Sequence, residues 1–362
     1  MALFFKKQNN FAFSSAVESL SKKVNFDVSG GSKSQVVVDS KSYPAQNIGL
    51  NDVVVLSAEE LRGTPFQATG FGGFIIGKTD NGTETSFTFK DFYSYIASLQ
   101  MATKPNNESA QLISVERQLE IQMNALLNHL PSFIHMNITN RNTSGLALLR
   151  ESDQNPVMGD YLNNINRVFD IALRVEVSLT AENGLYVSIT NPSRTSVKLS
   201  LRDSFIKDTS IDYGADESPT TLICYPKAEN TLHTETYSYY LQSDGTISTD
   251  SANEQRPARL EVFYYDDWQF EDGDIPPLAK AKEVFAETEE EQQIIANIDK
   301  NNYIPLESFE PFKKGIVYPY KGNDPIETTL TSVSFTSKDS VSVTFGYYRS
   351  SLTGKIKRLL SK

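Results

Sequence analysis

The sequence predicts a mainly β protein: two consecutive jelly-roll-like β-sandwich or barrel domains with inserted helices. Phe and Tyr together number 38 of the 362 residues, and these residue types suit half-buried, pleated sheets. Short segments such as QVVV, SFTF and SVKLSL are separated by turn signals such as SGGS, YPAQN and TDNG. Two long alternating hairpins, with turns near residues 183 and 339, each follow a helical segment. This repeated layout indicates two domains of similar plan.

The first 24 residues are predicted to form a basic arm that contains a short helix. Residues 1–23 hold four lysines and one glutamate. In FAFSSAVESLSKKV, residues 11–24, Ser15 and Glu18 have capping-box spacing, and the apolar residues follow a helical stripe.

The first β domain is expected over residues 25–191. The segments NFDV, QVVV, NDVVVL, GGFII and SFTF read as its first strands. Asp91 is a candidate cap for a helix DFYSYIASLQM. A second helical segment, ESAQLISVERQLEIQMNALLNHL, ends at Pro131, although its first half also alternates as a strand would. The strand SFIHMNIT and the hairpin VFDIALRVEVSLT–AENG–GLYVSIT complete the domain.

The second β domain is expected over residues 192–348. The segments SVKLSL, TTLICY, HTETYSYYLQ and ARLEVFYY read as strands. A helix is predicted at about residues 278–298, which are rich in Ala, Glu, Lys and Gln. The hairpin ETTLTSVSFT–SKDS–VSVTFGYY closes the domain, and residues 349–362 form a basic C-terminal arm.

One segment, GGFIIGKT at residues 72–79, matches the pattern of a phosphate-binding loop. That site requires an open loop of amide donors and a helix that starts at the lysine. Here the loop positions are the apolar Phe74, Ile75 and Ile76, and the turn signal TDNG follows. The sequence therefore predicts a β-hairpin at this position.

The densest acidic patch is YYDDWQFEDGDIPP, residues 264–277. Asp266 and Asp267 lie beside Trp268, the one tryptophan, so the three are candidates for ligand binding. Paired carboxylates beside an aromatic ring are typical of carbohydrate sites, and spaced aspartates can also hold Ca²⁺. A solvated loop is the favoured interpretation.

Few residues have the types and spacings of catalytic or metal sites. The three histidines, His129, His135 and His233, lack metal-ligand spacing, and Cys224 lies in an apolar run typical of a buried thiol. We therefore predict a protein that is not an enzyme, with no cofactor and no metal. The net charge of −11 argues against binding to nucleic acid.

The two termini are the candidate assembly or membrane contacts. Ile356, Leu359 and Leu360 share one helical face between basic residues. Five basic residues near an anionic bilayer contribute about 5 kcal/mol, which is useful only when many copies act together. No signal peptide and no apolar stretch of about 20 residues is evident, so synthesis in the cytoplasm without export is expected. The candidate contact residues are Lys6, Lys7, Arg349, Lys355, Lys357 and Arg358.

The layout of residues 25–348 resembles that of the double jelly-roll major capsid proteins of icosahedral viruses with an internal membrane. The resemblance implies a virion protein that self-assembles from homotrimers into a shell. Its partners would be its own copies, other capsid proteins and anionic membrane lipid. The alternative is a phage spike or tail protein that binds a receptor or carbohydrate through Trp268. A hydrolase that uses Asp266 or Asp267 is a third hypothesis.

Overall fold

The chain divides into two compact units, and one is inserted into the other. Unit 1 is formed by Met1–Thr209 and Ile295–Phe345, whereas unit 2 contains Ser210–Ile294. The computed structural model of the chain describes residues 1–7, 11–101, 115–137, 157–169, 171–180, 184–191, 195–213, 219–242, 246–252, 259–267, 277–278, 280–281, 284–285, 292–319 and 325–346.

Thirteen strands within the described residues form one sheet, almost entirely antiparallel. Eleven follow the order β12-β17-β20-β19-β3-β4-β7-β6-β5-β1-β2, and β18 joins β11 to β19. Their bounds are β1 Ala2–Lys6, β2 Ala12–Val17, β3 Ser21–Asp27, β4 Ser34–Asp39, β5 Val53–Leu56, β6 Phe71–Asp80, β7 Glu84–Asp91, β11 Ser196–Ser200, β12 Ile206–Tyr213, β17 Gln292–Asp299, β18 Lys314–Tyr318, β19 Ile326–Phe335 and β20 Ser340–Phe345.

The predicted helix at residues 11–24 is wrong, because this segment forms β2 and the start of β3. β1 lies between β2 and β5, and its side chains Ala2, Phe4 and Phe5 have no exposed surface. Pairing on both sides satisfies the backbone of β1 and buries these side chains in the core. Residues 2–6 are therefore a strand of the sheet.

The predicted hairpin at GGFIIGKT is confirmed, since the motif lies within β6 and is followed by β7. Asn81 Oδ1 accepts hydrogen bonds from the backbone N–H of Thr83 (3.0 Å) and Glu84 (2.7 Å), which stabilises the turn. The Lys78 ammonium donates to the carbonyl oxygen of Ile48 at 3.0 Å. This motif is therefore a structural hairpin.

Unit 1 also contains five α-helices in its described part and a smaller, three-stranded sheet. Asp91 caps α3 as predicted, and α4 confirms the second helical segment. The predicted hairpin after Pro131 is confirmed as β9 and β10, except that Val168 and Phe169, predicted to begin its first strand, end a helix. The strand β8 pairs with β10 in parallel. The bounds are α1 Tyr43–Asn47, α2 Ala58–Leu61, α3 Phe92–Ala97, α4 Val115–Leu127, α5 Met158–Phe169, β8 Ile134–Met136, β9 Arg174–Thr180 and β10 Gly184–Thr190.

The two ends of unit 1 meet in the large sheet. The predicted closing hairpin is confirmed as β19 and β20, and β19 pairs with β3. The Ser332 hydroxyl donates to the carbonyl oxygen of Phe26 at 2.9 Å, across this junction. Unit 1 therefore needs both ends of the chain to complete its sheet.

The helix predicted at residues 278–298 is wrong for its last part, which is strand β17. Ile294, Ala296 and Ile298 have no exposed surface, and this alternation is the period of a strand. The Glu- and Gln-rich composition favours a helix locally, but burial of one face of the strand in the sheet outweighs that preference.

Unit 2 contains four strands in its described part, in the order β15-β14-β13-β16. They are β13 Thr221–Pro226, β14 Tyr237–Leu241, β15 Ile247–Ser248 and β16 Leu260–Tyr265. One face of this sheet packs on a buried cluster of Leu222, Cys224, Tyr239, Leu241, Tyr265, Ala281, Val284 and Phe285.

The predicted fold class is confirmed at its coarser level. The chain is mainly β with large antiparallel sheets. A double jelly roll is not confirmed, because the long sheet combines strands from both halves of the sequence.

Candidate functional site

The predicted basic contacts are described only at the N-terminal end. The Lys6 ammonium lies 6.0 Å from the centre of the Tyr43 ring, a cation–π distance. Lys7 is exposed, and its backbone N–H donates to Asp52 Oδ1 at 3.0 Å. Arg349, Lys355, Lys357 and Arg358 lie outside the described residues.

The Asp267 carboxylate accepts three backbone hydrogen bonds in unit 2. The donors are the N–H groups of Thr231 (2.7 Å), Leu232 (3.1 Å) and His233 (2.8 Å). These bonds, with that of Thr231 foremost, hold the pKa of Asp267 below its ordinary value. Asp267 therefore fixes the loop that precedes β14.

The neighbouring Asp266 also has a structural partner. Its carboxylate lies 2.8 Å from the ammonium of Lys227, at the end of β13. Trp268 lies outside the described residues, so its proximity to these carboxylates remains a prediction. Both aspartates therefore contact residues of their own unit, and the predicted solvated loop after them lies outside the described residues.

An aromatic pocket in unit 1 was not predicted from the sequence. Its volume is about 430 Å³, which includes the solvent at its opening. Its lining comes from β3, the β6–β7 region, β9 and the segment before β18, so only the fold brings these residues together. The lining residues that define it are Phe26, Phe66, Phe71, Phe92, Arg174 and Phe312.

The charged wall of this pocket is formed by Arg174. Its guanidinium lies 2.7 Å from the Glu176 carboxylate and 3.8 Å from that of Glu310. The Arg174 Nε is buried and has no hydrogen-bond partner among the described residues. The pocket can therefore accept an apolar group with an acceptor atom at its edge, and none of the described residues that line it is a histidine.

Asp91 is the buried carboxyl of the same pocket. It accepts hydrogen bonds from the backbone N–H of Ser94 at 2.9 Å and from the Ser94 hydroxyl at 2.5 Å. Burial raises the pKa of Asp91 to about 6, and the bonds from Ser94 oppose this rise. These contacts make Asp91 a helix cap.

The outer sheet face of unit 2, opposite its buried cluster, exposes apolar side chains. On β16, Leu260, Val262 and Tyr264 are 61%, 43% and 60% exposed. In the parallel register with β13 they lie beside Thr221, Ile223 and Tyr225. The rings of Tyr225 and Tyr264 have centres 6.0 Å apart. We define the outer sheet face as Ile223, Tyr225, Leu260, Val262 and Tyr264.

The charge of the chain is concentrated in unit 2. Ser210–Ile294 holds 19 acidic and five basic residues, a net charge of −14. The protein as a whole carries −11. The sequence showed an acidic body, but its confinement to one unit became visible only from the fold.

The described part of the chain shows neither a metal site nor a membrane-spanning helix. Those residues contain no group of three or more His, Cys, Asp or Glu placed to hold a metal ion. No helix among them combines the length and apolar character needed to cross a membrane.

Comparison with solved structures reveals the fold, whereas no family model and no curated protein matches the sequence. The chain is similar to the tail protein from Neisseria meningitidis MC58 (TM-score 0.53, 11% identity, 91% of this chain and 92% of that chain). It is also similar to prophage tail protein gp18 from Listeria monocytogenes EGD-e (TM-score 0.54, 9% identity, 99% and 98%). A third is the 43 kDa tail protein of prophage MuSo2 from Shewanella oneidensis (TM-score 0.55, 9% identity, 96% and 98%).

These similarities contradict the prediction of a major capsid protein. The similar structures are tail proteins, and each match extends over more than nine-tenths of both chains. The layout of strands and helices along the sequence misled the prediction, because two β-rich halves also arise from one long sheet with an inserted unit. Capsid proteins and membrane lipid as partners have no support here, and the alternative of a tail protein agrees better.

Proposed function

We propose that this protein is a non-enzymatic structural component of a phage-type tail, acting within a virion or a related particle. The observation that supports this proposal is that the fold of the whole chain is similar to those of three tail proteins. At identities of 9–11% the similarity shows the fold, so the function rests on analogy. The partners would be further copies of the chain and other tail proteins.

The free edge of the large sheet supports an assembly role. In the described part of the chain β2 pairs with β1 alone, so the backbone groups on its other side have no strand partner there. The segment AFSSAV, residues 12–17, has no charged residue and no proline. Natural proteins protect exposed edges with such residues, so an edge without them is suited to pair with another chain. Phe13, within this strand, is 56% exposed.

The oligomeric state and location of the protein test the proposal. Size exclusion with light scattering, at low and moderate salt, should give a defined oligomer of the 40.4 kDa chain, with a homotrimer as the expected state. Antibodies against the folded protein should label the tails of particles produced by its source. A monomer at both salt concentrations, or label on particle heads, would overturn the proposal.

Receptor or carbohydrate binding by such a tail protein remains a prediction. It rests on Trp268, Asp266 and Asp267, and the two aspartates already hold structural contacts. A glycan array probed with the protein and with Trp268→Ala tests it. Binding that is lost in the variant would support the prediction, and absence of binding by the original protein would refute it.

A further inference from the structure

We infer that the outer sheet face of unit 2 is a docking site for the basic C-terminal segment, residues 349–362. The occupant is this segment of the protein, supplied by the same chain or by a neighbouring copy. The inference does not depend on the tail function proposed above.

The outer sheet face is apolar, which is typical of a surface that binds another segment. Three consecutive outward-facing side chains of β16 are apolar, and each exposes more than two-fifths of its surface. Tyr225 adds a fourth exposed side chain from the neighbouring strand. Contiguous exposed apolar patches mark interaction sites in soluble proteins, because water disfavours them.

Charge selects the basic segment as the occupant. Residues 349–362 contain five basic and no acidic residues, whereas Ser210–Ile294 carries a net charge of −14. The remaining residues, Met1–Thr209 and Ile295–Phe345, sum to only −2, so they attract the segment far less. Opposite potentials steer such a segment to unit 2 and favour its binding there.

The segment also carries apolar residues that fit the face. Leu352, Ile356, Leu359 and Leu360 are interspersed with its basic residues. A peptide that is both basic and apolar can place its apolar side chains on the outer sheet face and leave its charged groups near acidic side chains. Unit 2 supplies acidic groups in excess, since Ser210–Ile294 holds 19 acidic and five basic residues.

The length of chain beyond the described residues permits this docking. Residues 347–362 follow Gly346, the last described residue. Sixteen extended residues span about 50 Å. That length exceeds that of β16, which has six residues.

Photocrosslinking in the full-length protein tests the inference. With p-benzoylphenylalanine at Leu359, irradiation should give crosslinks to residues 221–225 and 259–265, identified by mass spectrometry. Crosslinks to unit 1, or none to protein, would overturn the inference. A mixture of ¹⁴N- and ¹⁵N-labelled chains distinguishes docking within a chain from docking between copies, and either result supports the site.

Two variants of the face separate specific docking from random collision. The double substitution Val262→Ser and Tyr264→Ser should lower the crosslink yield about tenfold, because it removes much of the apolar contact. Leu179→Ser, at a 50% exposed position of β9 in unit 1, is the matched control and should leave the yield unchanged. Equal yields in both variants, with folding verified by circular dichroism, would also refute the inference.

Discussion

The carboxylate of Asp91 accepts a 2.9 Å hydrogen bond from the backbone N–H of Ser94, at a position where Asp91 is buried. This bond caps the N-terminus of α3, where backbone N–H groups lack partners within the helix. Burial nevertheless penalises the charged form and raises the pKa of Asp91 to about 6. The cap is therefore sensitive to pH near neutrality.

Asp91 should make the protein less stable as the pH rises from about 4 to about 6. In this window the unfolded chain loses the Asp91 proton, near its ordinary pKa of 3.8, before the folded protein does. The shift corresponds to about 3 kcal/mol of unfolding free energy at neutral pH. Urea unfolding at pH 4 to 7 should show this loss in the original protein and a flatter profile in Asp91→Asn, which still caps the helix. Parallel profiles would contradict the prediction.

The pair of Lys22 and Glu60 should stabilise the folded protein less as the pH falls, whereas Asp91 stabilises it less as the pH rises. Burial alone would raise the pKa of Glu60, but hydrogen bonds from Lys22 and from the Met1 amino group lower it to about 2. The resulting stabilisation is present above about pH 4.5 and is lost as the pH falls towards 2. Because solvent screens this partly exposed pair, Lys22→Met should cost about 1 kcal/mol at pH 7 and progressively less below pH 4.5.

The neighbouring Lys23 provides the matched control for this pair. It is exposed on the same strand, so Lys23→Met removes an equal charge without breaking the contact with Glu60. Thermal unfolding of both variants should separate them clearly at pH 7. Equal melting temperatures would show that the contact contributes little.

Gly73 should be required by packing within the sheet. A Cβ atom at this position would lie 2.0 Å from the carbonyl oxygen of Lys90 and 2.6 Å from the Cα of Asp91. Gly73→Ala should therefore destabilise unit 1 by about 3 kcal/mol, measured by urea unfolding. Gly49→Ala, where a Cβ would contact nothing within 4 Å, should have a small effect. Similar losses in the two variants would contradict this explanation.

Cys224 should be inert in the folded protein. It has no exposed surface, and burial raises the pKa of its thiol to about 12. Because the thiolate is the reactive form, Ellman's reagent should react slowly with the native chain and at once after denaturation. Rapid reaction under native conditions would show that the core of unit 2 opens readily.

A lysine on the open edge of β2 should weaken self-association. Ala16 is exposed on this strand, and an added charge there opposes pairing with another strand. Ala16→Lys should therefore lower the oligomer mass measured by light scattering without changing the circular dichroism spectrum. Thr79→Lys adds the same charge at an exposed position of β6 and should leave the mass unchanged. An unaltered oligomer in both variants would exclude this edge as the interface.

Local patterns predicted the hairpins well, whereas the two compact units depend on contacts between residues far apart in sequence. β6–β7, β9–β10 and β19–β20 are formed by residues close in sequence, so alternation and turn residues suffice to identify them. The insertion of unit 2 depends on pairing between β3 and β19, some 300 residues apart. Such pairing leaves no local signal in one sequence.

The same reason explains what was missed at the candidate sites. The pocket around Arg174 combines residues from four separated parts of the chain. By contrast, Leu260, Val262 and Tyr264 alternate within one strand, and this pattern was present in ARLEVFYY. Which face of that strand is buried could be decided only by the position of Cys224 and its neighbours in the core.

The pairing of β3 with β19 also has a consequence for synthesis of the protein on the ribosome. At about 5–20 residues per second, β19 emerges roughly 15–60 seconds after β3. During that interval the nascent chain holds an incomplete sheet, with β3 unpaired on the side that β19 later occupies. The long delay makes this protein a natural client for chaperones that bind nascent chains, and it makes early termination of translation a source of aggregation.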